Sequence, residues 1–383
     1  MEVITMKKNN NSSELFKNIK TGRRTFLKNT SLLGLGGVAA TSFPIGSALG
    51  QSKKVVAIMP GVFMPKSGRP IAEGMSGVKI ENAPYTSPTD TLAKLMAPGG
   101  TKNYDLMISL TQFVKGPALG KNPGDERLHA LDMSKIPNAA NLMPLFKKDI
   151  VTRGGKTYMI PIVWGYDSVV YNADKIPTKD PLTQSWGVLF DDKYKGRIAW
   201  RDDAHGMIFA AALHRGHPNP IAMDKSDLKD ITSYLIDRKK NVRTMWTKFG
   251  EALNLVSSGE VWAMYGWIAM RRILQGKGMN VTNNWPTDGL LTWNQSGFIP
   301  KDSPNAASSE AVINAMLSTE FGKALTEATN YPSTSAKVAA LFNAEEKRKL
   351  GFDISDRGLK LVGLNQPASI DKWVEAWNVI KTA

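Results

Sequence analysis

The sequence predicts an α/β protein made of two lobes, each a mainly parallel sheet flanked by helices. Short apolar strands alternate with amphipathic helices along most of the chain after residue 50, which is typical of parallel sheets covered by helices. Extended segments around Pro161 and at residues 289–300 interrupt this alternation. About 330 residues follow position 50, which is enough for two compact domains with cores of their own.

Apolar runs and end signals predict the first elements in order. Strands are expected at residues 55–59, 77–81 and 104–109, where short apolar runs end at turn-forming residues. Ser87 is a predicted N-cap, and the Pro-Gly-Gly run at residues 98–100 ends the helix that it starts. The chain therefore begins, after residue 50, with a strand, helix and strand alternation.

Two extended segments are predicted to carry the chain between the lobes. Pro161 has no N–H to donate to a sheet, so the run at residues 158–165 suits an edge strand or a crossing strand. The second crossing is expected at residues 289–300. The predicted boundaries are a first lobe of residues 51–160 plus 294–383 and a second lobe of residues 161–293.

The last helix has the clearest periodicity in the chain. Its apolar residues recur at helical spacing and predict one buried face. They are Ile370, Trp373, Val374, Trp377 and Ile380.

The first 50 residues have the features of a removable secretory signal. Seven lysines and arginines precede an uncharged stretch at residues 31–40, and small residues follow up to Gly50. The adjacent Arg23 and Arg24, followed by Thr-Phe-Leu-Lys, look like a twin-arginine signal. An ordinary signal peptide with two neighbouring arginines is the alternative. Both interpretations predict export to the periplasm, with cleavage near Ala48.

Composition excludes several other classes of protein. The chain has no cysteine, which removes a lipid-anchoring cysteine, disulfides and thiolate chemistry. The formal net charge of +15 includes a basic leader. Without that leader the charge is about +10, and the basic residues are scattered among acids, which favours solvated surfaces over a nucleic-acid site. We expect no nucleic-acid partner, and a monomer is the default.

Six segments stand out along the chain, at residues 131–138, 160–165 with 170–172, 185–190 with 193–197, 258–267, 299–305 and 373–378. In this order they resemble the extracellular solute-binding proteins of the spermidine/putrescine type. The resemblance implies a type II periplasmic-binding-protein fold, with the ligand in a cleft between lobes that close as a hinge. It also implies two partners, a small-molecule solute and a membrane-embedded ABC permease, and no cofactor.

The resemblance implies that Trp267, Asp203 and Tyr331 bind the solute. In that family, aromatic rings grip the methylene chain of a polyamine and carboxylates hold its ammonium groups, as expected from cation–π attraction and from the cost of an unpaired buried charge. Core packing is the alternative role for each aromatic residue. Further candidates are Trp164, Thr111, Gln112, Trp293 and Asp288.

Departures from the family pattern leave three ligand classes open. His205 and Gly206 follow Asp203 where the family has a second acid, and amides follow Trp293 where an acid is common. The first class, an organic amine such as a polyamine held by Asp203 and aromatic rings, is favoured. A zwitterion would use acidic and basic groups together. An anion would instead use basic candidates, namely Arg201, His205, Arg271 and Arg272.

An exported enzyme is the alternative of another class. The chain has four histidines, of which His214 and His217 could share a helical face, but no cysteine and no neighbouring acidic cluster supports a metal site there. No Gly-x-Ser-x-Gly motif occurs, and no phosphate-binding glycine loop follows residue 50. The sequence therefore predicts a binding protein with no catalytic residues and no metal.

Overall fold

The computed structural model describes residues 53–383. The predicted signal, its twin arginines and its cleavage position lie outside the described residues. Within residues 53–383, no helix has both the length and the apolar character that a membrane span requires.

Eleven strands and thirteen α-helices make up the described part of the chain. The strands are β1 (Lys53–Ile58), β2 (Val78–Ala83), β3 (Leu106–Leu110), β4 (Val151–Arg153), β5 (Lys156–Asn172), β6 (Ile198–Arg201), β7 (Val242–Trp246), β8 (Ala263–Trp267), β9 (Val281–Asn283), β10 (Leu290–Phe298) and β11 (Leu361–Gly363). The helices are α1 (Arg69–Ser76), α2 (Pro88–Met96), α3 (Thr111–Leu119), α4 (Pro144–Lys147), α5 (Ala204–His214), α6 (Lys225–Lys239), α7 (Phe249–Ser257), α8 (Ile268–Gly276), α9 (Ala306–Met316), α10 (Thr319–Thr329), α11 (Ala336–Ala339), α12 (Ala344–Leu350) and α13 (Ile370–Thr382).

One strand arrangement occurs twice. The first strand group has the order β2-β1-β3-β10-β5, in which β1 is parallel to β2 and β3, and β10 is antiparallel to β3. The second strand group has the order β7-β6-β8-β5-β9, in which β6 is parallel to β7 and β8, and β5 is antiparallel to β8. Each group thus has three parallel strands followed by one antiparallel strand, and the predicted α/β class is confirmed.

Strand β5 belongs to both groups. Its residues pair with β10 up to Asp167, which lies opposite Leu291, and with β8 from Asp167 onward. The change of partner therefore falls at Asp167, beyond the lobe boundary expected at residues 160 and 161. Pro161 itself lies inside β5, where it faces Ser296 of β10.

Local chemistry explains the predicted helix ends. The Ser87 side chain accepts a hydrogen bond of 3.0 Å from the Asp90 N–H, and Pro88 occupies the first turn of α2. Helix α13 buries Trp373 and Trp377, as predicted, but Val374 is 46% exposed and lies outside the buried face. Both helices therefore form where the sequence predicts them.

The buried apolar side chains of the described residues form one large cluster and one smaller cluster. The largest cluster of buried apolar side chains includes Ile80 near one end of the sheet, Trp164 in the middle and Trp200 toward the other end. Strands β5 and β10 lie at the centre of this packing, so the two strand groups meet along them.

Candidate solute-binding site

Strands β5 and β10 pair side by side, and their side chains point to two different faces of the sheet. Trp293 lies opposite Gly165, and Asn294 lies opposite Trp164. Because successive side chains of a strand point to opposite sides, Trp293 projects from one face, while Trp164 and Asn294 project from the other. A Cβ atom at Gly165 would collide with the Trp293 indole, so glycine is what lets this ring lie across β5. We call these the Trp293 face and the Asn294 face.

A buried carboxylate lies on the Trp293 face. Asp167 is only 1% exposed and accepts two hydrogen bonds, one from Trp293 Nε1 at 2.7 Å and one from the Tyr265 hydroxyl at 2.5 Å. Burial raises the pKa of Asp167 to about 6, although the Arg201 charge and the two hydrogen bonds act in the opposite direction. The sequence analysis missed this residue. An acid inside the otherwise apolar run at residues 163–170 was the signal, because buried acids are rare.

An ion pair lies where β6 leads into α5. Asp203 is the N-cap of α5 and accepts a hydrogen bond of 2.9 Å from the Gly206 N–H, which also places the carboxylate at the positive end of the helix. Arg201 Nη1 lies 3.3 Å from Asp203 Oδ2. The two side chains are 29% and 31% exposed, so both are open to a solute in part.

Trp267 ends β8 and completes this side of the site. The Arg201 guanidinium carbon lies 4.8 Å from the centroid of the Trp267 ring, which is cation–π distance. Phe249 stacks on the same indole, with centroids 5.9 Å apart and ring planes 9° from parallel. Trp267 and Asp203, both predicted to bind the solute, therefore share Arg201 as a neighbour.

Tyr331 approaches from the part of the chain after α10. Asn330 has a left-handed backbone with φ 60°, which ends the helix and turns the chain into Tyr331. The Tyr331 ring packs edge to face on Trp293 and on Phe63, with centroids 5.4 Å and 5.8 Å apart. Burial, together with the nearby Asp167 charge, raises the pKa of Tyr331, so its hydroxyl keeps its proton at neutral pH.

These contacts form two sets of residues, which meet where Asp167 lies opposite Trp267 in the β5–β8 pair and where the Tyr265 hydroxyl and the Asp203 carboxylate lie on either side of Gly206. Four of the predicted site residues are in these sets, together with three charged or polar groups that hold them in place. We call this set the Asp203 cluster. Its members are Asp167, Arg201, Asp203, Tyr265, Trp267, Trp293 and Tyr331.

Gly206 leaves no space for a side chain between Asp203 and Tyr265. A Cβ atom at this position would lie 2.6 Å from the Tyr265 hydroxyl and 3.0 Å from Asp203 Oδ2. No side chain fits there while Tyr265 donates its hydrogen bond to Asp167. A side chain at position 206 would therefore have to displace the Tyr265 hydroxyl or the Asp203 carboxylate.

Thr111 and Gln112 contact Asn294. The Thr111 hydroxyl donates to Asn294 Oδ1 and lies 2.6 Å from Ser296 Oγ, and Gln112 Oε1 accepts from the Asn294 N–H at 3.2 Å. Both residues line a cavity of about 420 Å³ that is also lined by Asp149 and Trp293. The structure therefore brings Thr111 and Gln112 to one cavity with Trp293, but Asp203 does not line it.

Trp164 and Asp288 also lie apart from the cluster. Trp164 is fully buried and packs on Phe146, with centroids 5.1 Å apart. Asp288 accepts a hydrogen bond of 2.7 Å from the Ser185 hydroxyl and lies 3.5 Å from His214. Neither of these two side chains contacts Asp203 or Trp267.

The basic candidates also lie partly inside and partly outside the Asp203 cluster. His205 Nε2 lies 2.9 Å from the Asn365 carbonyl oxygen, and burial lowers the pKa of His205, which favours the neutral ring. Arg271 donates to the Lys349 carbonyl, and Arg272 donates to the Asn330 side chain. Of the four basic candidates, Arg201 is the one that lies in the Asp203 cluster. Within residues 53–383, no group of three or more acidic or histidine side chains has the arrangement of a metal site.

Together, the repeated strand order, the shared strand β5 and the mixed cluster of charges and rings define a protein of the periplasmic-binding-protein fold. Residues 70–350 match the model of the family described as bacterial extracellular solute-binding protein. The chain belongs to this family.

Relatives with known names agree with this family. The chain is 25% identical, over 276 residues, to the spermidine/putrescine-binding periplasmic protein of Escherichia coli K12, and the match covers 70% of this chain and 74% of that protein. Among solved structures, a putative spermidine/putrescine ABC transporter from Listeria monocytogenes superposes with a TM-score of 0.71 at 20% identity, over 86% of this chain and 99% of that chain. A GABA receptor superposes with a TM-score of 0.68 at 20% identity, over 86% and 97%. The predicted fold is thereby confirmed, and the chain is a solute-binding component of the ABC transporter type.

Proposed function

We propose that this protein captures a small organic amine between two lobes in the periplasm and delivers it to a membrane-embedded ABC permease. The observation that carries the proposal is the Asp203 carboxylate, which is partly open to solvent and pairs with Arg201, whose guanidinium lies over the Trp267 ring. In this proposal the protein makes and breaks no bond in the solute. It is exported by the leader, through the twin-arginine pathway, and acts as a monomer.

The lobes of the proposal correspond to the predicted residues 51–160 plus 294–383 and residues 161–293. Strands β5 and β10 cross between them and serve as the hinge, with the first crossing centred on Asp167, where β5 changes its partner. Tyr331 then faces the site from the first lobe, and Asp203 and Trp267 face it from the second. Closure would bring these groups together around the solute, as expected for a ligand site between domains.

The chemistry of the cluster supports an ammonium group on the solute. Asp203 offers a carboxylate, and a cation over the face of the Tyr331 or Trp293 ring would gain about 0.5–2 kcal/mol. The name of the Escherichia coli relative also supports an amine. Solved proteins of this fold are named for both polyamines and GABA. The fold alone therefore does not determine which solute binds, and the side chains of the cluster must determine it.

Asp203→Asn tests the proposal without removing the helix cap, because asparagine is as good an N-cap as aspartate. The mature protein would be titrated by calorimetry with ammonium compounds, including diamines and amino acids of two to five carbons. We expect the variant to lose about tenfold or more in affinity for the amines that bind, which is at least about 1.4 kcal/mol.

Asp224→Asn is the matched control, because Asp224 caps α6 with the same kind of hydrogen bonds and is not part of the Asp203 cluster. It should leave solute affinity unchanged. If no ammonium compound in the series bound, or if Asp203→Asn bound every compound as tightly as the wild type does, the proposal would be wrong.

A further inference from the structure

Arg201 occupies the place in the cluster where an amine would be expected to bind. Its guanidinium lies against both groups that would hold an ammonium ion, at 3.3 Å from Asp203 Oδ2 and 4.8 Å from the centre of the Trp267 ring. Among residues 53–383, Asp203 is the one carboxylate within ion-pair distance of Arg201. A second cation in this site would therefore share its carboxylate with a guanidinium.

A diamine needs two carboxylates, and the cluster does not offer two. Asp167 is the other acid, but it is 1% exposed and its two oxygens already accept hydrogen bonds from Trp293 and Tyr265. Position 206 accommodates no side chain beside Tyr265. The second ammonium of a diamine would be buried near Arg201 without a carboxylate of its own, and an uncompensated buried charge costs several kcal/mol.

The Arg201 guanidinium has N–H donors that its ion pair with Asp203 does not use. Arginine has five N–H donors in a planar fork, which matches a carboxylate in a bidentate arrangement. The Arg201–Asp203 ion pair accounts for one contact at 3.3 Å, and the Arg201 side chain is 29% exposed. A carboxylate on the solute could therefore bind Arg201 while an ammonium group binds Asp203.

Gln295 offers a buried neutral acceptor on β10. It lies two residues after Trp293 on β10, and so on the Trp293 face of that strand. Gln295 is 8% exposed, and its Oε1 atom has no hydrogen-bond partner among the residues that the structure describes. A buried acceptor of this kind can bind an ammonium N–H without adding a negative charge that would repel a carboxylate.

We propose that the solute is a zwitterion with an ammonium group and a carboxylate, with Arg201 binding the carboxylate and Asp203 binding the ammonium group. This inference rests on the proposed function and narrows its substrate class from organic amines to amino acids and related compounds. Because Arg201 and Asp203 are in contact, the two charged groups of the solute lie close together, on a short carbon chain.

Matched pairs of compounds test the inference directly. Amino acids with two to five carbons and an ammonium group at the far end would be compared with diamines of the same length, for example 4-aminobutyrate with 1,4-diaminobutane. Calorimetry with the mature protein should show at least tenfold tighter binding of the amino acid in the pairs that bind. Arg201→Gln should weaken amino-acid binding at least tenfold and should not weaken diamine binding.

Arg243→Gln is the matched control, because Arg243 pairs with Glu260 on the surface of the second strand group. It should leave both affinities unchanged. Arg201→Lys keeps the charge but lacks the planar fork, so it should lose part of the amino-acid affinity. If circular dichroism shows that Arg201→Gln does not fold, Arg201→Lys replaces it in the test, and amino-acid affinity is again expected to fall.

Two contrary results can be told apart. Tighter binding of the diamine in every pair, or amino-acid affinities that neither Arg201 variant changes, would overturn the zwitterion inference and leave the capture of an amine intact. Amine affinities that Asp203→Asn does not change would overturn the proposed function, and the inference would fall with it.

Discussion

Trp293 Nε1 donates a hydrogen bond of 2.7 Å to Asp167 Oδ1, and this bond joins β10 to β5, the strand that both strand groups share. It lies where β5 exchanges β10 for β8 as its partner. The same indole packs on Tyr331, so one side chain connects the buried carboxylate to the aromatic part of the candidate site.

Trp293→Phe should destabilise the fold by leaving Asp167 without one of its donors. Phenylalanine keeps an aromatic ring beside Tyr331 but has no N–H, and a buried acceptor without its partner costs about 1–3 kcal/mol. Trp246→Phe is the control, since Trp246 is also fully buried and its Nε1 atom has no partner among the described residues. Urea unfolding should show a lower free energy of unfolding for Trp293→Phe than for Trp246→Phe. Equal losses would contradict this role of the hydrogen bond.

The pH dependence of stability should report the buried Asp167. The folded state keeps this proton up to pH about 6, whereas the unfolded chain releases it near the ordinary value of 3.8. Between these values the folded state binds more protons, so the free energy of unfolding falls as pH rises. Asp167→Asn has no such proton. The wild type should therefore lose about 2 kcal/mol relative to the variant between pH 4 and pH 7.

Denaturant unfolding of both proteins at several pH values measures this difference. The change should be complete by about pH 7, because Asp167 is then ionised in both the folded and the unfolded state. Parallel curves for the wild type and Asp167→Asn would show that burial does not raise the pKa of this carboxyl.

Gly206→Ala should disturb the Asp203 cluster. The added methyl group would meet the Tyr265 hydroxyl at 2.6 Å and Asp203 Oδ2 at 3.0 Å, so either the hydrogen bond to Asp167 or the cap of α5 must give way. We expect a loss of about 1–3 kcal/mol in stability, as is usual for overpacking, together with weaker solute binding. Thermal unfolding and calorimetry measure the two effects.

Gly250→Ala is the control for this substitution. Gly250 lies in the first turn of α7, and a Cβ atom there would meet nothing within 4 Å. Alanine has the higher helix propensity, so the control should be neutral or stabilising by up to about 1 kcal/mol. A Gly206→Ala variant as stable as Gly250→Ala would show that the space beside Tyr265 is not limiting.

The twin-arginine signal is tested by Arg23→Lys combined with Arg24→Lys. Lysine keeps the positive charge, which an ordinary signal peptide requires, but not the arginine side chains that a twin-arginine signal requires. We expect the amount of protein in a periplasmic extract to fall strongly. Unchanged export would favour an ordinary signal peptide.

Strands and helices whose positions are determined by residues close along the chain could be predicted from the sequence. The strands expected at residues 55–59, 77–81 and 104–109 correspond to β1, β2 and β3, with small shifts at their ends. Helix α2 begins after Ser87, as its cap predicts. The insertion of β10 between β3 and β5 could not be predicted, because it depends on pairing between distant segments.

Only part of the candidate site could be predicted from the sequence, because the contacts between its residues also depend on strand pairing. Trp293 and Trp164 were both expected to face the solute, but they lie on opposite faces of the crossing strands. Which face a strand residue occupies depends on register, which neighbouring residues do not specify. Whether each predicted residue binds the solute stays a prediction.

The sequence by itself determined the α/β class, the helix caps and the basic leader, because these depend on residues that are close along the chain. Only the tertiary structure decided which charges and rings meet. Asp167 and Trp293 are 126 residues apart, yet they share a hydrogen bond because β5 and β10 pair in one register. Arg201 is near Asp203 in sequence, but its position over Trp267 depends on β6 and β8 lying side by side.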